Sequence, residues 1–366
     1  MAEDRLRLGV IGANASQGWA PRAHLPALLA LPEIELAAVC TAHESTARES
    51  AEMFGARMAF HDHREMLDRK DIDAVAVLVR VPKHHGLTMD ALAAGKHVFT
   101  EWPLGADLAE AEEMAALARA RGVRTMVGLQ ARCSPALLRM RELIDEGYVG
   151  EVLAGHMARF SAGVLTRTSD RTWQSDRALG ATNLSIMFGH SIDALAMCLG
   201  EPNDVSAIVS TQVTQWLESD TGRMVDVTNP DNILINGTLT SGAVMSAHIA
   251  AIPWHDDGFR LQVYGREGTI VATGPENPQI GRVRLSGGRK DDSGLEELPI
   301  PERLTWVPNA VPEGPAFNVA QMWRRFAESI RTGEPAEPDF DSAVKRHRVL
   351  EAVQRASDTG VRQSVA

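Results

Sequence analysis

Leu6-Arg7-Leu8-Gly9-Val10-Ile11-Gly12-Ala13-Asn14-Ala15-Ser16-Gln17-Gly18 is an apolar run that ends in a glycine turn, and a helical pattern follows from about Pro21 to Leu31. Strand, glycine turn and helix, in that order, are the setting of a dinucleotide fingerprint. The start of such a helix offers free N–H groups and the positive end of its dipole to a pyrophosphate. Asn14 stands where a second glycine is usual, and the third is displaced to Gly18. Asparagine tolerates positive φ better than most residues, so the turn stays feasible.

The rhythm continues outward from that turn. Strand-like runs at 34–40, 74–79, 97–100 and 125–129 alternate with helical patterns at 45–54, 87–94 and 108–121. Alternation of this kind predicts an α/β fold with a doubly wound, parallel Rossmann sheet. Such sheets bind ligands at the carboxyl ends of their strands. The ends carry Gly12–Gly18, Thr41–His43, Arg80–His85, Glu101–Pro103 and Gln130–Arg132. From them, Gly12, Asn14, Ala15 and Ser16 are expected at the cofactor's phosphates. Thr41, His43, Val81 and His84 are expected along its length, and Glu101, Trp102, Pro103 and Gln130 around its far end. No acid precedes Glu44 at the end of the second strand, and Arg48 lies one helical turn on. The choice between NAD and NADP stays open, with charge tilting it towards NADP.

Composition narrows the function classes. The chain has 366 residues and a net charge of −11, and only five of its 37 basic residues are lysines. No basic face is available for direct nucleic-acid binding. No run approaches the roughly 20 apolar residues of a membrane span. Cys40, Cys133 and Cys198 are too far apart for a local zinc cluster, and their odd number argues against a disulfide framework. His61-Asp62-His63 has no third ligand in view, so no metal is expected. The first residues lack a secretory-signal pattern, and a reducing cytoplasm is the expected setting.

Ala94-Gly95-Lys96-His97-Val98, followed by Glu101-Trp102-Pro103, resembles the "AGKHV…EKP" signature of the glucose–fructose oxidoreductase / inositol dehydrogenase / MocA family. Arg132–Pro135 with Glu146–Val152 resembles that family's crossover into a second domain, and Tyr264–Thr269 resembles its hairpin. The resemblance implies a Rossmann domain over 1–131 and a substrate and oligomerisation domain over 132–366. The second domain would be α+β, with a large open, mostly antiparallel sheet and closing helices at 317–358 packed back on the first. It further implies a homodimer or homotetramer that covers the sheet's open face.

The family's hydride transfer from a sugar or polyol uses a lysine, an aspartate and a histidine. Trp102 replaces the lysine, and Ile186 stands four residues before His190 where the aspartate belongs. His190 and Asp193 match. By this resemblance His190 is the acid–base group, with Asp193 beside it. Trp102 reads either as a stacking wall for substrate or cofactor or as a filler of the lysine's space. Arg132, Trp173, Asp176 and Trp254 are further candidates for the substrate cleft. Lys96, on the far side of the sheet from the cofactor rim, reads as structural. Both losses resemble the branch that contains the fungal galactose-pathway corepressor. Three functions follow: an NAD(P)-dependent sugar or polyol oxidoreductase, a redox-neutral NAD-dependent glycosidase, and a non-enzymatic NAD(P)-binding regulator.

Overall fold

The computed structural model describes residues 5–15 and 18–365. They cluster into two compact units. The first holds the described residues up to Gln130 together with Trp306–Val344, and the second holds Ala131–Thr305 with Lys345 onward.

The first unit is built on six parallel strands, β1 (Leu6–Ile11), β2 (Ile34–Cys40), β3 (Met58–Phe60), β4 (Ala74–Val77), β5 (His97–Thr100) and β6 (Thr125–Val127). Their order is β3-β2-β1-β4-β5-β6, so the chain reverses direction across the sheet between β1 and β4. All four residues of β4 are buried, as a strand covered on both faces requires. Helices α1 (Leu25–Leu29), α2 (Glu44–Phe54), α3 (His63–Leu67), α4 (His84–Ala93) and α5 (Leu108–Arg121) make the crossovers. The sequence pattern lacked β3 and α3, which span too few residues to display a period. The helix expected from Pro21 begins instead as a π-turn, Ala20–His24, and ends at Leu29.

Two further helices come from the tail, after α6 (Pro135–Asp145) and α7 (Gly189–Leu199) of the second unit. They are α8 (Pro315–Thr332) and α9 (Phe340–Thr359). The first unit keeps α8, whose Trp323 ring stacks on Phe99 of β5 at 4.4 Å. The turns of α9 from Lys345 onward cluster with the second unit, and α8 clusters with the first, whereas the resemblance counted both closing helices in the second domain.

The second unit contains a nine-stranded sheet. Its main strands are β7 (Val152–Ser161), β9 (Pro202–Ser210), β12 (Asn232–Leu239), β13 (Val244–Ala251), β14 (Gly258–Gly265), β15 (Gly268–Gly274) and β16 (Arg284–Arg289). Short edges β17 (Glu296–Glu297) and β18 (Gln363–Ser364) complete the order β17-β16-β15-β14-β7-β13-β12-β9-β18. Only β7 and β13 run parallel; the other pairs are antiparallel. A separate small sheet joins β8 (Thr166–Arg167), β10 (Gln215–Glu218) and β11 (Met224–Asp226). One face of the large sheet is apolar and packs under α6 and α7, with Met157, Ile233, Ile249, Leu261 and Val263 buried there. On the opposite face Ile208, Leu234, Val244 and Tyr264 are exposed.

Candidate active site

In the first unit the strand ends meet the requirements of a dinucleotide. Gly12 closes β1 at φ +90°, and a Cβ there would come within 2.4 Å of the Leu78 carbonyl. Only bare backbone fits this turn, which is where a pyrophosphate needs close approach. Asn14 and Ala15 are half-buried just beyond it, and Ser16 lies outside the described residues. Thr41 ends β2 with its hydroxyl donating to the His43 carbonyl and 2.6 Å from the Thr46 hydroxyl. His43 is exposed ahead of α2, and Glu44 pairs with Arg48 one turn along that helix.

Glu101, at the end of β5, is the most highly coordinated group on this rim. Its Oε1 accepts from Gln130 Nε2 at 2.9 Å, and its Oε2 from the Trp102 amide at 3.2 Å. His24 Nε2 stands 2.6 Å from Oε1, while the Trp323 indole donates to His24 Nδ1 at 3.1 Å. Indole N–H can only donate, so Nδ1 accepts and the ring proton sits on Nε2, pointing at the carboxylate. His24 lies on the π-turn before α1, a distortion that recurs at functional sites. Neither Trp323 nor His24 is near Glu101 in sequence, and no local pattern announced this chain. Trp102 is 4% exposed and Pro103 is buried.

Two rim residues depart from expectation. His84 is fully enclosed, with Nδ1 2.8 Å from the Pro103 carbonyl and Nε2 2.9 Å from the Val79 carbonyl. It ties the ends of β4 and β5 together, and burial holds its pKa below the usual histidine range. It has no edge left for a cofactor. Val81 is buried in the same turn. Lys96, at the opposite edge, donates to the Arg69 and Ile72 carbonyls.

In the second unit His190 is buried in the first turn of α7, directly after a π-turn, Leu184–Phe188, that carries Ile186. One turn further, Asp193 is fully buried, and Arg132 grips it through Nε at 3.0 Å and Nη2 at 2.9 Å. Arg346, from α9, approaches the same carboxylate at 3.5 Å and also pairs with Glu201 just past the end of α7. Arg346 thus straps α7 near both ends. Its burial pulls the guanidinium pKa down to about 10.

These contacts bear on the expected site residues. Asp193 is bound to arginines and acts as the anchor of the helix rather than as a reacting group. Arg132 is committed to Asp193, so its charge is neutralised before any substrate arrives. Asp176 is exposed and caps a short turn through the Ala178 amide. Trp254 is 70% exposed, in a loop where His255 has φ 54°. Trp173 is half-buried. For metal chemistry, Asp62 caps α3 and His63 contacts Asp90, and among the described residues no group of three metal-binding side chains forms.

Residues 6–129 match the profile of the oxidoreductase family with an NAD-binding Rossmann fold, and residues 135–274 match the Gal80p C-terminal domain. The first domain is thus that of the glucose–fructose oxidoreductase / inositol dehydrogenase / MocA family, and the second is Gal80-like. It is 28% identical to the dehydrogenase aclE of Aspergillus oryzae over 97% of both chains. It is also 28% identical to the galactose/lactose metabolism regulatory protein GAL80 of Saccharomyces cerevisiae, over 65% of this chain and 59% of that one. Levoglucosan dehydrogenase, solved with NADH and levoglucosan, has the same fold, with a TM-score of 0.87 at 21% identity and 99% coverage of each chain. NAD(P) is the cofactor of this fold, and the bare Gly12 turn fits it.

Proposed function

We propose that the chain is an NAD(P)-dependent oxidoreductase acting on a carbinol or carbonyl of a sugar, polyol or sugar-derived substrate. The first unit would hold the dinucleotide along Gly12, Thr41 and Glu101, and the second would recognise the substrate. Bound nicotinamide supplies or accepts the hydride. His190 holds the proton that leaves or joins the substrate oxygen. The observation that carries this reading is His190 itself. It is retained and buried at the head of a helix that Arg132, Asp193, Arg346 and Glu201 brace, although the lysine and aspartate positions hold Trp102 and Ile186. A rigid base keeps the reaction geometry without those two groups. Following nicotinamide absorbance with NAD+ and NADP+ across sugars, polyols and sugar acids tests the reading, with cofactor binding checked separately.

A regulator without turnover is the second reading. Trp102 and Ile186 favour it, as does the Gal80-like second domain. The open sheet face with Ile208, Leu234, Val244 and Tyr264 supports a second copy of the chain as partner. Among the described residues no helix is long and apolar enough to cross a membrane.

A further inference from the structure

Three arginines of the described chain are buried, and all belong to the second unit. Arg132 and Arg346 are matched by Asp193 and Glu201. Arg159, on β7, is 6% exposed and forms no ion pair with any described residue. The guanidinium's one hydrogen bond runs from Nε to Asn277 Oδ1 at 2.6 Å, and Nη1 is buried without an acceptor. Burial lowers its pKa, the direction that marks a cation short of compensation. Asp256, Glu276 and Asp257 are close enough to act on it without pairing with it. One oxygen of the Asp256 carboxylate accepts from the Ala162 amide.

The position of Arg159 follows from two contacts on the same face of β7. A Cβ on Gly155 would come 2.5 Å from Leu199 Cδ1, and Ser161 Oγ lies 3.6 Å from Met187 Sδ. The helical run from Met187 to Leu199 therefore lies antiparallel along the strand from Gly155 to Ser161. Twelve helical steps of about 1.5 Å match six strand steps of about 3.3 Å. Even spacing between those contacts sets Arg159 opposite the His190–Ser191 turn.

We infer that Arg159 is the specificity residue of this site and that its free guanidinium edge takes a carboxylate of the substrate, so that the substrate class is sugar acids, uronates or aldonates. This rests on the oxidoreductase reading for the role of His190, and on Arg159 alone for the charge. A lone buried cation needs an anion to complete it. The edge of a guanidinium matches a carboxylate in shape. The surrounding Asp256, Asp257 and Glu276 favour a monoanion over a phosphate dianion, which would meet their repulsion.

The test is calorimetric binding of D-glucuronate and D-gluconate to the full chain in the presence of NAD+, against D-glucose and glucose 6-phosphate. The acids are expected to bind and glucose to bind about 10-fold or more weakly, and Arg159→Gln to erase that difference, with Arg159→Lys restoring part of it. A second measurement is the melting temperature of the unliganded Arg159→Gln protein. It is expected to hold or rise, because the variant removes an uncompensated charge; a marked fall would assign Arg159 to structure and overturn the proposal. Equal binding of glucose and the acids, no binding of the acids, or tightest binding of glucose 6-phosphate would overturn it too. Binding of the acids that depends on Arg159 but yields no nicotinamide change would sustain the proposal while removing the oxidoreductase reading.

Discussion

Arg132 meets Asp193 edge-on, with Nε 3.0 and 3.1 Å from the two carboxylate oxygens and Nη2 2.9 Å from one of them. The pair is buried, and Arg346 lies 3.5 Å away on the same acid. Two guanidinium groups thus converge on one carboxylate a helical turn past His190, Arg132 paired to it and Arg346 shared with Glu201. Asp193→Ala would strand Arg132, while Arg346 keeps Glu201, and loss of one partner from a buried ion pair costs about 3–5 kcal/mol. Urea unfolding of that variant should show a loss of this size. A change under about 1 kcal/mol would mean that the cluster does not brace α7.

The indole of Trp323 fixes the His24 tautomer. In ring-labelled protein, nitrogen NMR should find His24 protonated on Nε2 alone while it is neutral. Trp323→Phe removes the donor to Nδ1, and the ring should then sample both tautomers. Leaving Nδ1 unsatisfied should cost about 1–3 kcal/mol, beyond the packing lost against Phe99. An unchanged spectrum in the variant would contradict the assigned chain of contacts.

Trp102→Lys alone should not create ordinary dehydrogenase activity. Ile186 would still lack a carboxylate, and the new ammonium would enter a buried position. The variant should melt lower than the parent and reduce no more NAD+ than it does. A robust gain in sugar oxidation would show that the two replacements are not a linked pair.

Acid stability should report on His84. Burial lowers its folded pKa below the unfolded 6.5, so the unfolded chain binds a proton that the folded one refuses. Stability is then complete above about pH 6.5 and declines as pH falls below it, by at most about 1.4 kcal/mol per pH unit for one proton. In His84→Asn the slope of unfolding free energy between pH 7 and about pH 5 should flatten, whatever the variant's overall stability. An unchanged slope would remove His84 as its source.

What was legible in the sequence was what repeats locally. The strand–helix alternation, the Gly12 turn and the motif that carries His190 all announce themselves through period or motif. Elements too short to show a period, β3 and α3, did not. Nor did the π-turn at Ala20–His24, in a stretch that reads largely as ordinary helix, or the one at Leu184–Phe188. The partners of the chemistry were hidden for a different reason. Trp323 reaches His24 across 299 residues, Arg132 reaches Asp193 across 61, and Arg159 reaches Asn277 across 118. Nothing in a single local window specifies such pairs, which is why Arg132 looked free and Arg159 passed unnoticed.

The central claim is that His190 moves the proton in a nicotinamide-linked oxidation. The most direct measurement is single-turnover nicotinamide absorbance for the parent and His190→Asn, each loaded with NAD+ and offered sugars, polyols and sugar acids. The account predicts reduction by the parent with at least one substrate, and a loss of about 100- to 10,000-fold in the variant with cofactor affinity intact. Silence of the parent across the panel with cofactor bound, or equal rates in parent and variant, would contradict it.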